Sequence, residues 1–190
     1  ERSEPVEFQL PHKCRKKSAL INYTETAPEI DGSPDEIWHL QKLTEFSDVM
    51  SGQAEGENDL LPAFRAMWDE DNLYMMIEVI DDTPFPALSE DVKSWLTDGV
   101  RVHLDPQHQQ APLLGWENRT YRMIGKDGPL RAGIERDRFM QGVQFAKQDS
   151  VPPKRSWKPT HNGYMVELAF PWKTLGIVPE TMMQFGLMVA

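Results

Sequence analysis

A tryptophan and an arginine close together in the chain are the side chains best suited to recognising a ligand. Trp95 lies six residues before Arg101, in the segment that leads into a predicted strand. A flat indole that covers one face of a ligand removes roughly 80 Å² of apolar surface from water, worth about 2 kcal/mol. An arginine donates hydrogen bonds and accepts none, and it pairs well with carboxylate or sulfate groups. Such a pair can form a binding site with one aromatic wall and one cationic side, and packing within its loop is the open alternative for Trp95.

The element that must position Arg101 is an alternating strand, Gly99–Leu104. Successive side chains of a strand point to opposite faces, so its apolar residues share the core face. Arg101 and His103 are therefore predicted on the outer face. Simpler roles stay open for both residues. One alternative pairs Arg101 with an acid on a neighbouring strand, such as Glu78 or Glu167, and His103 is then an ordinary surface histidine.

Other short segments alternate in the same way, and turn residues separate them. Strands are predicted at Phe64–Trp68, Leu73–Ile80, Tyr121–Ile124, Phe139–Ala146, Tyr164–Phe170 and Phe185–Val189. Short helical turns are predicted at Asp35–Leu40 and Pro171–Leu175. Parallel strands need long crossover connections, usually helices, and no long helical period is present. The sequence therefore predicts an all-β fold, an antiparallel sandwich or barrel with short helical turns.

Charge and composition argue against several kinds of partner. The 190 residues carry a formal net charge of −10, which argues against a nucleic-acid binder and against attraction to an anionic membrane. No apolar run approaches the ~20 residues that cross a bilayer, so no membrane insertion is expected. Cys14 is the single cysteine, which excludes an internal disulfide and a Cys₄ zinc site. Glu1–Leu10 is acidic and polar, unlike a signal peptide.

Motifs of the common enzyme classes are absent, and we predict that the chain is not an enzyme. It has no Gly-x-Ser-x-Gly elbow, no His-Glu-x-x-His pair and no phosphate-binding glycine loop. Most carboxylates lie in predicted turns, where Asp side chains bond the local backbone. A structural Ca²⁺ is the open alternative for six of them, since Ca²⁺ needs several converging oxygens. These are Asp69, Asp71, Asp81, Asp82, Asp98 and Asp105.

Three segments carry a more specific pattern. They are Ala27–Trp38 (APEIDGSPDEIW), Ala66–Asp105 (with AMWDEDNLY and WLTDGVRVHLD) and Gly163–Leu187 (with GYMVELAFPWKTLG and FGL). In their order and spacing, from Glu25 to Ala190, they resemble the family 9 carbohydrate-binding modules and their DOMON-like relatives. The resemblance implies an immunoglobulin-like β-sandwich with a non-catalytic role. It also implies a module of, or a partner to, polysaccharide-degrading enzymes outside the cytoplasm, in the periplasm, at the cell surface or in the medium.

The resemblance also implies a saccharide site. In sugar-binding members, a Trp at the position of Trp95 stacks on a pyranose, and an Arg at the position of Arg122 joins it. The position of Arg101 is usually a Glu there, so an Arg makes an acidic sugar more plausible. His103 and Trp116 are further candidates for polar contacts. The resemblance implies that residues 1–24 form a polar arm or linker and that residues 25–190 form the sandwich. It also implies that the family's last strand follows the position of Ala190.

Two alternatives of other classes remain. DOMON-like domains include haem-binding electron carriers with Met and His axial ligands, and here Met76 and His103 both leave the predicted core face. A structural domain of a larger surface protein, without a ligand, is the third interpretation. Three other tryptophans are assigned to core or corner packing: Trp38, Trp68 and Trp172.

Overall fold

The computed structural model describes residues 18–45, 60–81, 99–108, 119–124, 131–133 and 153–189. Within these ranges ten strands and two four-residue helices follow one another. In chain order they are β1 (Asn22–Tyr23), α1 (Glu36–His39), β2 (Thr44–Glu45), β3 (Leu61–Trp68), β4 (Asn72–Ile80), β5 (Gly99–Asp105), β6 (Arg119–Ile124), β7 (Arg131–Gly133), β8 (Lys154–Thr160), β9 (Gly163–Pro171), α2 (Trp172–Leu175) and β10 (Gly186–Val189). Neither helix is long enough to cross a membrane.

The strands form two sheets. The large sheet has the order β1-β3-β4-β9-β8, and β2 also pairs with β3. The small sheet has the order β10-β5-β6-β7. Every pairing is antiparallel except that of β1 with β3, which is parallel. This architecture confirms the predicted all-β sandwich with short helical turns.

The inner faces of the two sheets meet in the main core. Alternation places every second residue of β4, β5 and β9 inward, and these side chains are buried. The buried members on these strands are Leu73, Met75, Ile77, Val79, Val100, Val102, Leu104, Tyr164, Val166, Leu168 and Phe170. The face assignment made from the sequence for Gly99–Leu104 is therefore confirmed, and β4 and β9 show the predicted alternation.

The outer face of the large sheet is buried as well, beneath the segment that contains α1. Trp38 is fully buried there in a cluster with five side chains of the sheet. They are Met67, Tyr74, Met76, Met165 and Ala169. Glu167, also fully buried, accepts hydrogen bonds from the Trp38 indole N–H at 3.0 Å and from the Gly32 backbone N–H at 2.6 Å. The segment that contains Ile30-Asp31-Gly32 and α1 thus covers this part of the outer face.

Several elements were not predicted, and each lacks the pattern that reveals a strand. β1 and β2 have two residues each and β7 has three. β8 is an edge strand in which most side chains are exposed, and it contains Pro159, so it shows no apolar alternation. β1 also brings two residues of the predicted N-terminal arm into the large sheet. The strand predicted at Phe139–Ala146 lies outside the described residues.

Candidate functional site

The outer face of the small sheet carries the polar residues predicted for ligand contact. On β5, Arg101, His103 and Asp105 are each partly exposed and alternate with three buried apolar residues. Because those apolar residues belong to the main core, the polar ones point away from it. The structure therefore places Arg101 and His103 on the predicted face.

His103 is held by a neighbour on β6. Its ring Nδ1 lies 2.9 Å from the hydroxyl oxygen of Thr120, which is directly paired with it in the register and is itself buried. A hydroxyl both donates and accepts, so the contact suits either neutral tautomer of the imidazole. On the other side, Met188 of β10 pairs with His103 and is partly exposed. The imidazole is therefore oriented within the sheet face.

The register places three arginines in one row across the small sheet. Arg101 on β5 pairs with Arg122 on β6, and Arg122 pairs with Arg131 on β7. These are pairings of backbone positions, and they align the three positions with Arg101 on β5. Arg101 and Arg122 were predicted from the sequence and Arg131 was not, because β7 has no recognisable pattern. Only the register shows that the third arginine belongs to this row.

The two tryptophans of the predicted site, Trp95 and Trp116, lie outside the described residues. The structure brings together the positions of Arg101, His103 and Arg122, and the aromatic wall stays a prediction.

The acids suggested as partners of Arg101 are on the wrong sheet. Glu78 lies on β4 and forms an ion pair with Arg65 of β3. Glu167 lies on β9, beneath Trp38. The neighbours of β5 are β6 and β10, so neither acid is on an adjacent strand. Glu78 and Glu167 were therefore wrong as the named partners, because alternation gives the face of a residue and not which strands pair.

The geometry rules out Met76 and His103 as the axial pair of the haem interpretation. Met76 is buried in the cluster around Trp38, on the outer face of the large sheet. His103 is on the outer face of the small sheet, so the main core separates the two side chains. One haem cannot take both as axial ligands. Both residues do leave the core face, as predicted, but from different sheets.

In the acidic turn after β3, the carboxylate of Asp69 accepts hydrogen bonds from nearby residues of the chain. One carboxylate oxygen of Asp69 accepts the backbone N–H groups of Asp71 (2.8 Å) and Asn72 (2.7 Å). The other accepts the Tyr74 hydroxyl at 2.7 Å. Burial, first of all, and the bond to Asp69 raise the pKa of Tyr74 well above its usual range. Asp69 therefore stabilises the turn, and within the described ranges no three His, Cys, Asp or Glu side chains group as metal ligands.

The tryptophans assigned to packing lie where predicted. Trp38 and Trp172 are buried, and Trp172 donates its indole N–H to the Asp69 carbonyl at 2.9 Å. Trp68 is partly buried and packs against the main core.

Comparison with known proteins identifies the family. A family model described as "Carbohydrate family 9 binding domain-like" matches residues 30–190. The chain is 27% identical over 164 residues to an endo-1,4-beta-xylanase A of Thermotoga neapolitana, covering 85% of this chain and 14% of that enzyme. It is 25% identical over 163 residues to the exoglucanase XynX of Acetivibrio thermocellus, covering 85% of this chain and 13% of that protein. The chain thus spans about one seventh of these relatives.

Solved structures agree with the fold. A family 9 carbohydrate-binding module of Caldicellulosiruptor kristjanssonii in complex with cellotriose matches with a TM-score of 0.66 and 20% identity, over 89% of this chain and 73% of that one. The glucose complex of a family 9 module from the same organism matches with a TM-score of 0.61 and 19% identity, over 89% and 75%. With the family model matched along residues 30–190, from the segment that seals the large sheet to the small-sheet strand β10, the chain belongs to the family 9 carbohydrate-binding domain-like proteins.

Proposed function

We propose that this chain binds a saccharide without catalysing its cleavage, on the outer face of the small sheet. The observation that carries the proposal is the family match along residues 30–190. The polar face with Arg101, His103 and Arg122, at the positions expected from the sequence, supports it. Trp95 supplies the stacking surface in this proposal, and Trp116 adds a polar contact.

The row of arginines favours a saccharide that carries a carboxylate or sulfate group. Arg101, Arg122 and Arg131 occupy directly paired positions. Arginine pairs well with carboxylate and sulfate groups, so three arginine positions in one row favour an anionic ligand. A neutral cello- or xylo-oligosaccharide is the second candidate, because relatives of this chain are a cellotriose-binding module and xylanases.

The physiological context follows from the same relatives. We propose that the chain works as a module of, or a partner to, a polysaccharide-degrading enzyme, outside the cytoplasm. The short share of each relative that it covers fits one module among several. Structural Ca²⁺ stays part of the proposal, with Asp82 and Asp98 as candidate ligands outside the described ranges.

Isothermal titration against trigalacturonate, cellotriose and xylotriose tests this function. We expect trigalacturonate to bind most tightly, and Trp95→Ala to weaken binding by about tenfold or more, the equivalent of one lost aromatic wall. Arg101→Glu restores the acceptor usual in the family and should shift preference from trigalacturonate to neutral sugars.

The matched control is Arg155→Ala, which removes an exposed arginine from the large sheet. It should leave every affinity unchanged. No binding of any of the three oligosaccharides by the folded protein would favour a structural domain without a ligand. Equal loss in Arg155→Ala and Arg101→Glu would point to non-specific charge attraction.

A further inference from the structure

A surface hollow lies at the end of β3 in the large sheet. It has a volume of about 500 Å³ and is lined by Tyr23, Trp68, Glu70, Pro179, Glu180 and Thr181. Pockets for small ligands span about 300–1,000 Å³ and combine aromatic surface with a few polar groups. None of the lining residues belongs to the small sheet, so the hollow is distinct from the face of Arg101.

The two aromatic rings are held rigidly. Tyr23 and Trp68 are paired in the β1–β3 register, and their rings meet edge to face with centroids 5.0 Å apart and an angle of 78°. The Trp68 indole N–H donates to the Ile21 carbonyl at 3.2 Å, and the Thr24 N–H donates to the Trp68 carbonyl at 2.8 Å. A preformed aromatic surface loses little conformational entropy when a ligand binds.

The polar groups of the rings are already used, which leaves apolar ring surface for a ligand. The Tyr23 hydroxyl donates to the Glu70 carboxylate at 2.5 Å. This hydrogen bond, first of all, raises the pKa of Tyr23 to about 12, and the nearby charges of Glu70, Asp69 and Glu25 add to the shift. The hydroxyl therefore remains a donor at physiological pH. Tyr23 is nevertheless 45% exposed, so much of the side chain stays open to solvent.

The charge of the hollow selects the ligand. Glu70 and Glu180 are exposed on its wall, and none of its lining residues is basic. Carboxylates accept hydrogen bonds from hydroxyl groups and repel anions. A pyranose offers an apolar C–H face for the rings and a rim of hydroxyl donors for the acids, whereas a uronic acid brings an opposing charge.

From these features we infer that the Tyr23–Trp68 hollow is a second saccharide site, selective for neutral sugars. It requires no contact with the small-sheet face, so it goes beyond the proposed function of that face. One edge-to-face pair provides a single aromatic wall, so we expect millimolar affinity. Binding of one polysaccharide at this hollow and at the small-sheet face together would increase the overall affinity through avidity.

Nuclear magnetic resonance titration of the full chain with cellotriose tests this inference. The probe signal is the indole N–H of Trp68, assigned with Trp68→Phe. We expect this signal to shift in the wild-type protein, and Tyr23→Ala to weaken the response about tenfold. Glu70→Gln keeps the shape of the acid but loses its charge, so it should bind trigalacturonate more tightly than the wild-type hollow does, while Glu180 keeps part of the repulsion.

Leu40→Ala, which trims a side chain that is 79% exposed, and Glu45→Gln are the matched controls. Both should leave the Trp68 response unchanged. Tyr23→Phe, which keeps the ring, provides a second test if Tyr23→Ala is unfolded, and it should retain a measurable response. An unshifted Trp68 signal in folded protein, or wild-type binding of trigalacturonate at Trp68 as tight as that of cellotriose, overturns the inference. Because Trp68 reports only on the hollow, failure here leaves the Arg101 face untouched, and Trp95→Ala tests that face separately.

Discussion

The described residues on the outer faces of the two sheets differ in burial. The large sheet is covered by its own chain: Trp38 and the backbone of Gly32 converge on Glu167 and exclude water from it. The small sheet keeps Arg101 and His103 partly exposed between buried apolar residues. Both faces contain polar side chains, and among the described residues those of the large sheet are the ones buried beneath another segment. Glu167 thus has a structural role beneath the covering segment, whereas Arg101 and His103 are the residues to which we assign recognition in our proposal.

Among the substitutions considered, Trp38→Ala should reduce stability most, because it uncovers the outer face of the large sheet. It removes the largest side chain over the large sheet and takes one donor from Glu167. We expect the free energy of unfolding to fall by about 4 kcal/mol. Denaturant unfolding measures this loss, with Leu40→Ala as the control that should change stability by less than about 0.5 kcal/mol. A loss as small as that of Leu40→Ala would show that the segment is not tightly packed.

Gly32→Ala should have the next largest effect. Gly32 has a φ of +86°, and a Cβ there would lie 2.7 Å from the Ser156 hydroxyl oxygen and 3.3 Å from Lys158 Cβ. Left-handed backbone costs a residue with a Cβ about 1–2 kcal/mol, and the crowding adds to this cost. Thermal unfolding should show the loss. Unchanged stability would mean that the turn can shift without losing its bond to Glu167.

The buried Glu167 predicts a smaller, pH-dependent effect. Burial raises the pKa of its carboxyl, and the repulsion from Asp31 adds to this, although the N–H groups of Gly32 and Trp38 act in the opposite direction. The folded state therefore holds this proton more tightly than the unfolded state. The resulting stabilisation is fully present below the ordinary pKa of Glu and is lost as the pH rises through the folded pKa.

The difference in unfolding free energy between the wild-type protein and Glu167→Gln, measured across this pH range, isolates that contribution. As the pH rises, the wild-type protein should lose stability relative to Glu167→Gln. The opposite slope would mean that the two N–H donors outweigh burial.

Arg101→Ala should affect stability least, because the side chain is partly exposed outside the main core. We expect a change within about 0.5 kcal/mol in denaturant unfolding. A larger loss would assign Arg101 to the framework and not to recognition.

The sequence was sufficient for what depends on alternation. The faces of β4, β5 and β9, the short helices and the packing of Trp38 follow from apolar spacing and turn residues. Alternation does not show which strands pair, so features that depend on strand pairing could not be predicted. The sheet that holds Glu78 and Glu167, the row completed by Arg131 and the parallel pairing of β1 are long-range contacts without a local signal.

Chemical-shift mapping of backbone amides with trigalacturonate tests the central claim most directly. The account predicts shifts at Arg101, His103 and Thr120 on the small sheet, while the Trp38 indole on the sealed large sheet stays unchanged. Shifts centred on the residues around Trp38, with none on β5 and β6, would contradict it.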